Sequence, residues 1–388
     1  MKALVLDCGP EGWAKTKGLR LRDDIDPPLL DEARDPSDAK RVLIRPIATG
    51  FCGSDRSIYY RSAFREMLFG SMAQEGSDRR ILGHELLGEI VAAGSIARSK
   101  WGLKPGDVVS AESHLFCGKC YQCRTGDTHV CANEKILGIS MDGCFAELVK
   151  LPAKILWPTD LSKIRPEVGC IQEPFGNAVH ACTKVDLRGK SLAIFGCGTI
   201  GLFAILVARA LGATKIVAFE PIARNREMAL ALGADEVHSV DTRPSGGAAP
   251  FDEAAIGCVR AATSGLGVDV ALEMAGSNSS VNNAIQAVKR GGDVILFGIK
   301  SGDFVIPRFD SIIAGGKSLH GVIGRQIFKT WYITRNLLES QQLGIQERIW
   351  DVILGGGQGS VVEFGEFEPA CFERRLAEHP KIVLRYAR

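Results

Sequence analysis

The stretch Ser191–Ala208, "SLAIFGCGTIGLFAILVA", decides more of this 388-residue chain than any other. Its eighteen residues carry no charge, which on length alone would suit a membrane span. Its first half, however, holds Gly196, Gly198 and Gly201 in the order Gly-x-Gly-x-x-Gly. Three glycines at that spacing suit a buried strand, a tight turn and a helix opening at Thr199 and Ile200. Gly196 allows the turn, Gly198 lets backbone approach a pyrophosphate, and Gly201 lets helix and strand pack closely. The helix N-terminus then offers unpaired N–H groups to phosphates.

The sequence on either side supports this. Downstream, "KIVAFE", "EVHSVD", "VDVALEMAG", "GDVILFG" and "SLHGVIG" alternate with helical stretches such as "RNREMALALG". Six apolar strands separated by helices predict a doubly wound parallel sheet. Glu220 ends the second strand, nineteen residues after Gly201, where a carboxylate would meet ribose hydroxyls and repel a 2′-phosphate. NAD is therefore expected rather than NADP, although Arg224 and Arg226 stand close enough to bind such a phosphate. Arg226 and Gly298, at the end of the fifth strand, complete the candidate cofactor residues. "RPSGGAAP" (243–250) reads as a loop.

The part before residue 177 reads differently. "RVLIRPIAT" (41–49), "LLGEIVAAG" (86–94), "GDVVSAES" (106–113) and "CFAELVKL" (144–151) are short β-type runs broken by Gly and Pro, as in an irregular antiparallel domain. After residue 326, "QIFKTWYITRNLLESQQLG" reads as helix and "PKIVLRYAR" as a strand rejoining the first domain. The expected organisation is a β-rich domain over 1–176, a nucleotide domain over 177–325 and a returning segment over 326–388.

Bulk properties exclude several functions. The net charge is +2, with no basic tail or stripe, so neither nucleic acid nor an anionic membrane is an expected partner. The start, "MKALVLDCGPEGW", lacks the pattern of a signal peptide. The twelve cysteines are accordingly expected to stay reduced, in the cytoplasm.

Four of those cysteines lie together in "FCGKCYQCRTGDTHVC": Cys117, Cys120, Cys123 and Cys131. Four thiolates in a closed tetrahedron make a structural zinc site. A bacterial iron–sulfur run would end Cys-x3-Cys-Pro, and a thioredoxin-type pair would follow a βα unit. A zinc-ribbon nucleic-acid module would carry a basic face. The more dispersed "GFCGSD" (50–55), "LGHELLGE" (82–89) and "IQEPFGNAVHA" (171–181) contribute Cys52, His84 and Glu173. Singly these read as a buried thiol, a turn histidine and a capping carboxylate.

Taken together, the motifs resemble the zinc-dependent medium-chain alcohol dehydrogenases. Over about residues 82 to 340 the likeness is strongest to the L-threonine 3-dehydrogenases, with glucose and sorbitol dehydrogenases as relatives. It is densest in "HLFCGKCYQCRTGDTHVC", "MDGCFAELVKLPAK", "QEPFGNAVHA" and "GVIGRQIFKTWY". The resemblance implies a Rossmann domain beside a GroES-like catalytic domain, and two zinc ions per chain. Cys52 and His84 would bind the catalytic zinc, with Glu85 and Glu173 as further or exchangeable ligands. The four clustered cysteines would bind the structural one.

The implied reaction is oxidation of a secondary alcohol to a ketone. Zinc would lower the hydroxyl's pKa and hydride would pass to NAD. The implied substrate is L-threonine-like, or a small polyol or sugar, and the implied assembly a homotetramer or homodimer. A zinc-free reductase would not need Cys52, His84 and Glu173 together, and a non-catalytic NAD-binding protein would not need them at all.

Two departures stand out. Threonine dehydrogenases carry His five positions after the zinc-binding Cys, where this chain has Ser57. Ser54, two after it, keeps a hydroxyl suited to passing a proton. The extra length of 56–80 and the "CGSDR" wording look more like sugar dehydrogenases. His114, in "ESHLFCG", matches a histidine near the threonine substrate.

Overall fold

The computed structural model describes residues 1–240, 251–299 and 303–387; the loop expected at 243–250 lies outside them. Two compact units emerge. One holds Met1–Pro174, Gln326–Glu339 and Ile349–Arg388, the other Phe175–Arg325 and Ser340–Arg348.

The second unit contains a six-stranded, all-parallel sheet. Counted along the unit its strands run 3-2-1-4-5-6, the doubly wound nucleotide-binding order. Strand Ser191–Phe195 lies at its centre, with Leu192, Ala193 and Ile194 fully buried. Helix Thr199–Ala210 is buried continuously from Gly201 to Ala208. That accounts for the charge-free run: a central strand and a helix enclosed on all sides both need apolar residues throughout. Burial of each large side chain there contributes about 1.5–3 kcal/mol. Among the described residues no helix is long and apolar enough to cross a membrane.

The first unit is built on a mainly antiparallel sheet. Its central pair is Arg41–Phe51 against Glu85–Ala93. The terminal strand Ile382–Arg385 pairs antiparallel with the far end of Arg41–Phe51 and parallel with Val361–Glu363. The segment 144–151 becomes a strand only at Val149–Pro152. Before that, the Cys144 and Phe145 N–H groups bond the Gly83 and Leu82 carbonyls, so this backbone braces the 82–83 loop instead of joining a ladder.

The extra length after residue 56 folds into helix Arg65–Glu75. Arg80, 1% exposed, fastens it by bonds to Glu75 (2.8 Å), Ser71 (3.1 Å) and Asp142 (3.3 Å). The Phe69 ring packs edge-on against Trp13.

Candidate active site

In the parallel-sheet unit, the three-glycine turn joins strand Ser191–Phe195 to helix Thr199–Ala210, with Gly198 as N-cap. Gly196 has φ +99°, and a Cβ there would come within 2.9 Å of the Ala275 Cβ. A Cβ on Gly201 would lie 1.9 Å from the Gly196 carbonyl oxygen. A Cβ on Gly198 would meet nothing within 4 Å, so its face of the turn is open, as a phosphate-binding turn requires.

Glu220 is 5% exposed at the end of the second strand. Its Oε2 accepts the Cys197 N–H at 2.7 Å and its Oε1 the Ile222 N–H at 3.0 Å, so it braces the turn. Each oxygen retains a further lone pair for a ribose hydroxyl. Arg226 donates to the Glu220 and Pro221 carbonyls, which holds its guanidinium at the strand end. Arg224 donates to Asn225. Gly298 is packed against Gly276, whose nitrogen a Cβ would approach to 2.2 Å.

In the β-rich unit the four clustered sulfurs lie within 4.8 Å of one another. Backbone N–H groups of Lys119 and Cys120 point at the Cys117 sulfur (3.4 and 3.3 Å), and these bonds hold its thiol down at about 6. The Cys131 sulfur accepts from the Cys117 and Asn133 N–H groups. Burial pushes Cys123 up to about 12. Three thiols would not normally crowd a fourth whose charge is already favoured, whereas a cation would neutralise the group, so this donor set fits zinc.

The dispersed residues also converge. Cys52, His84 and Glu85 each place a ligand atom within 4.8 Å of the others. Cys52 caps helix Gly53–Tyr59, and Glu85 opens strand Glu85–Ala93. The residue that organises them is Asp55, fully buried. Its carboxylate accepts the Cys52 N–H (3.0 Å) and the Gly83 N–H (3.3 Å) and faces His84 Nδ1 at 3.7 Å. A carboxylate on the side of one ring nitrogen favours a cation at the other. That other nitrogen, Nε2, has Ser54 Oγ at 3.4 Å. Burial opposes charge on His84, but the Asp55 and Cys52 charges outweigh it and raise the imidazole well above its usual value. So much negative charge around a buried imidazole fits a cation-binding site.

Glu173, 2% exposed near the start of helix Gln172–Cys182, accepts from Ser113 Oγ at 2.6 Å. It falls outside the 4.8 Å grouping that includes Glu85. Glu85 itself is bonded by the buried ammonium of Lys381. Next to Ser113, His114 Nδ1 lies 3.0 Å from Glu134 Oε2. The His114 N–H donates to Glu112, which also accepts the Trp331 indole at 2.8 Å. Ser57 Oγ donates to the Gly53 carbonyl of its own helix.

Sequence reasoning missed Asp55, Ser113, Glu134 and Lys381. Asp55 carried a signal, since "CGSD" places a carboxylate three residues after a helix-capping cysteine. The others come from distant segments with no local mark.

Comparison with known proteins shows the family. Residues 38–161 match the alcohol dehydrogenase GroES-like domain family, and residues 199–340 the zinc-binding dehydrogenase family. The L-threonine 3-dehydrogenase of Pyrococcus horikoshii is 38% identical over 88% of this chain and 90% of its own. That of Caldanaerobacter subterraneus subsp. tengcongensis is 36% identical over 80% of this chain and 83% of its own. In fold, the alcohol dehydrogenase TADH from Thermus sp. ATN1 superposes with TM-score 0.77 at 23% identity over the full length of both chains. The 2R,3R-butanediol dehydrogenase from Bacillus subtilis gives 0.73 at 22%, over 99% of each.

The molecule is thus an oxidoreductase acting on CH–OH donors, with a GroES-like and a Rossmann-type domain. More particularly, the chain belongs to the zinc-dependent medium-chain alcohol dehydrogenases and is threonine-dehydrogenase-like within them. It oxidises an alcohol with zinc and a nicotinamide dinucleotide.

Proposed function

We propose that this chain oxidises the secondary hydroxyl of a small polar alcohol of the L-threonine type, with NAD as acceptor and two zinc ions per chain. The observation that carries the catalytic part is the convergence of Cys52, His84 and Glu85, braced by Asp55. The threonine assignment is supported by relatives 32–38% identical. Cys52 and His84, with Glu173 or Glu85, would hold the catalytic zinc, and Cys117, Cys120, Cys123 and Cys131 the structural one. Bound there, zinc supplies the Lewis acidity that lowers an alcohol's pKa toward neutral. The nicotinamide supplies the hydride acceptor.

The protein's own residues do the rest. Asp55 sets its charge on the Nδ1 side of His84 and ties the Cys52 and Gly83 backbones together. Ser113 fixes one oxygen of Glu173. Ser54 Oγ receives the substrate's hydroxyl proton and passes it on. Ser57 is turned back on Gly53, so the onward step goes to water or to His114 Nε2, the ring nitrogen that Glu134 does not engage. Glu220 accepts the ribose hydroxyls. Gly196, Gly198, Thr199, Ile200 and Gly201 cradle the pyrophosphate, flanked by Arg226 and Gly298.

A second reading, a sugar or polyol dehydrogenase, is favoured by Ser57 and by helix Arg65–Glu75 in the lengthened segment. Turnover of L-threonine, sorbitol, glucose, inositols and 2,3-butanediol, each with NAD and NADP, separates the two. The highest kcat/KM should fall on L-threonine with NAD; sorbitol or glucose in first place would establish the second reading. A cytoplasmic homotetramer or homodimer completes the proposal. The exposed edge strand Ser318–Gly321 offers a face for such assembly, and light scattering measures it.

A further inference from the structure

Glu273 has no part in the mechanism above, yet it is a fully buried carboxylate. It ends the fourth strand of the parallel sheet, Val268–Glu273, and is 0% exposed. Its Oε1 accepts the Ala275 N–H (2.8 Å), the Gly276 N–H (2.7 Å) and the Ser280 hydroxyl (2.6 Å). All three donors are neutral. An oxygen that takes three of them suits an ionised carboxylate, which offers only lone pairs. Oε2 is buried too, and among the described residues it has no hydrogen-bond partner. A buried charge satisfied on one oxygen only is costly, so its presence at this point needs a reason.

Its place in the sheet supplies one. Glu273 pairs with Phe195, the residue before the glycine turn, and the Met274 N–H donates to the Phe195 carbonyl. Ala275 is the residue that a Cβ on Gly196 would strike. On the other side, the Gly298 N–H donates to the Glu273 carbonyl at 3.2 Å, and a Cβ on Gly298 would come within 2.6 Å of Oε2. The unpartnered oxygen thus lies between the turn and the end of the fifth strand, where the strand order 3-2-1-4-5-6 reverses. A dinucleotide binds across that point, one nucleotide over each half of the sheet. Glu220, on the second strand, marks the adenosine half. The nicotinamide half then falls on the fourth to sixth strands, and Glu273 ends the first of these.

We propose, on the reading that this turn holds a nicotinamide dinucleotide, that Glu273 selects the oxidised cofactor by its charge. The nicotinamide ring is a cation in NAD and neutral in NADH, and the rest of the molecule is the same. A fixed carboxylate on the nicotinamide side favours the first and is indifferent to the second. Two unit charges about 10 Å apart, at the effective dielectric of a partly buried site, are worth about tenfold in affinity. The donors on Oε1 hold the charge in place without cancelling it. Hydride arrival removes the ring's charge, so the carboxylate that helps NAD to bind does nothing to retain NADH.

The dissociation constants of NAD and NADH, measured by fluorescence titration of the full-length enzyme, test this through their ratio. Glu273 also braces the 275–280 loop. Loosening that loop would weaken both forms alike, so the ratio isolates the charge. Glu273→Gln should raise Kd(NAD)/Kd(NADH) about tenfold. Glu273→Asp keeps the charge and should leave the ratio unchanged, even where both constants rise. Equal weakening of NAD and NADH in Glu273→Gln would reduce Glu273 to a brace and overturn the proposal. If that variant does not fold, Glu273→Asn set against Glu273→Asp decides, since the two differ in charge at nearly equal shape. A ratio about tenfold higher in the Asn variant supports the proposal, and equal ratios overturn it. An unmodified enzyme that binds neither form would overturn the nucleotide site itself and the proposal with it, so the two failures are distinguishable.

Discussion

The four-cysteine loop and the Cys52–His84–Glu85 group gather ligands in opposite ways. The loop takes its four sulfurs from fifteen positions, and its own backbone N–H groups, those of Lys119, Cys120 and Asn133, point at them. The other group draws on two separate segments, one with Cys52 and one with His84 and Glu85, and relies on Asp55 beside the first and on Lys381 from the far end of the chain. A loop that organises itself puts its binding energy into local folding. A group assembled by a whole domain already has its scaffold, so its metal is free to serve chemistry.

Two substitutions would break this contrast if it is wrong. Cys52→Ala should lower kcat by on the order of 10³-fold, the scale of several kcal/mol of Lewis-acid stabilisation, with little change in Tm. It should remove one of two zinc ions by elemental analysis. Cys120→Ser should do the reverse, lowering Tm while the folded fraction keeps its turnover per molecule. Equal losses of Tm and turnover in both variants would mean that the two sites share one role.

Asp55→Asn sharpens the same comparison within the dispersed site. It keeps the side chain's shape but not the charge facing His84 Nδ1. The loss in zinc affinity or turnover should be about 10–100-fold, the usual effect of removing a metal ligand's carboxylate partner. An unchanged zinc affinity, measured by chelator competition, would reduce Asp55 to a helix-capping residue.

The same division explains what the sequence revealed. The nucleotide turn is contiguous: Gly196, Gly198, Gly201 and Glu220 span twenty-five positions, and strand–helix periodicity frames them, so fold and site were legible together. The four-cysteine loop was legible for the same reason. Cys52, His84 and Glu173 became a candidate site only through resemblance, because each alone suits a core or a turn; the structure groups Glu85, not Glu173, with the first two. Lys381 was not legible. In "PKIVLRYAR" it reads as an ordinary charged residue before a strand, and only the pairing of Ile382 with Phe51 carries it to Glu85. The early residues of "CFAELVKL" misled by their apolar pattern, since their N–H groups go to the 82–83 loop. Strand propensity describes side chains, and here the backbone's partners decided.

For the contiguous site the expected effect is smaller. Glu220→Ala should weaken NAD by about tenfold, the worth of one or two hydrogen bonds, and shift the preference toward NADP. The shift matters more than the loss, because Glu220 also braces the Cys197 and Ile222 N–H groups and its removal loosens the turn for either cofactor. An unmodified enzyme that already prefers NADP would show that Arg224 and Arg226 dominate the ribose position.

The smallest effect on turnover belongs to Asp269, which ties the parallel sheet together and touches neither metal group. Its Oδ2 accepts the Ser191 N–H (2.8 Å) and hydroxyl (2.7 Å), joining the fourth strand to the start of the first, and Lys289 pairs with Oδ1 at 2.5 Å. Burial alone would raise this carboxyl, but Lys289 and Ser191 outweigh it and hold it at about 2, below its ordinary 3.8. A carboxyl whose folded value lies below its unfolded one stabilises the fold above the unfolded value. That contribution fades as pH falls from about 4 toward 2. Its full size at neutral pH is about 2 kcal/mol, reduced because Lys289 is 42% exposed and screened by water. Asp269→Asn should therefore lower stability by up to about 2 kcal/mol at pH 7, with kcat unchanged. The gap between the two proteins should narrow as pH falls below about 4 and close near pH 2. Denaturant unfolding of both at pH 7, 4, 3 and 2 measures it. A gap that stays constant with pH would assign the effect to lost hydrogen-bond geometry, and a fall in kcat would show that this end of the sheet reaches the chemistry after all.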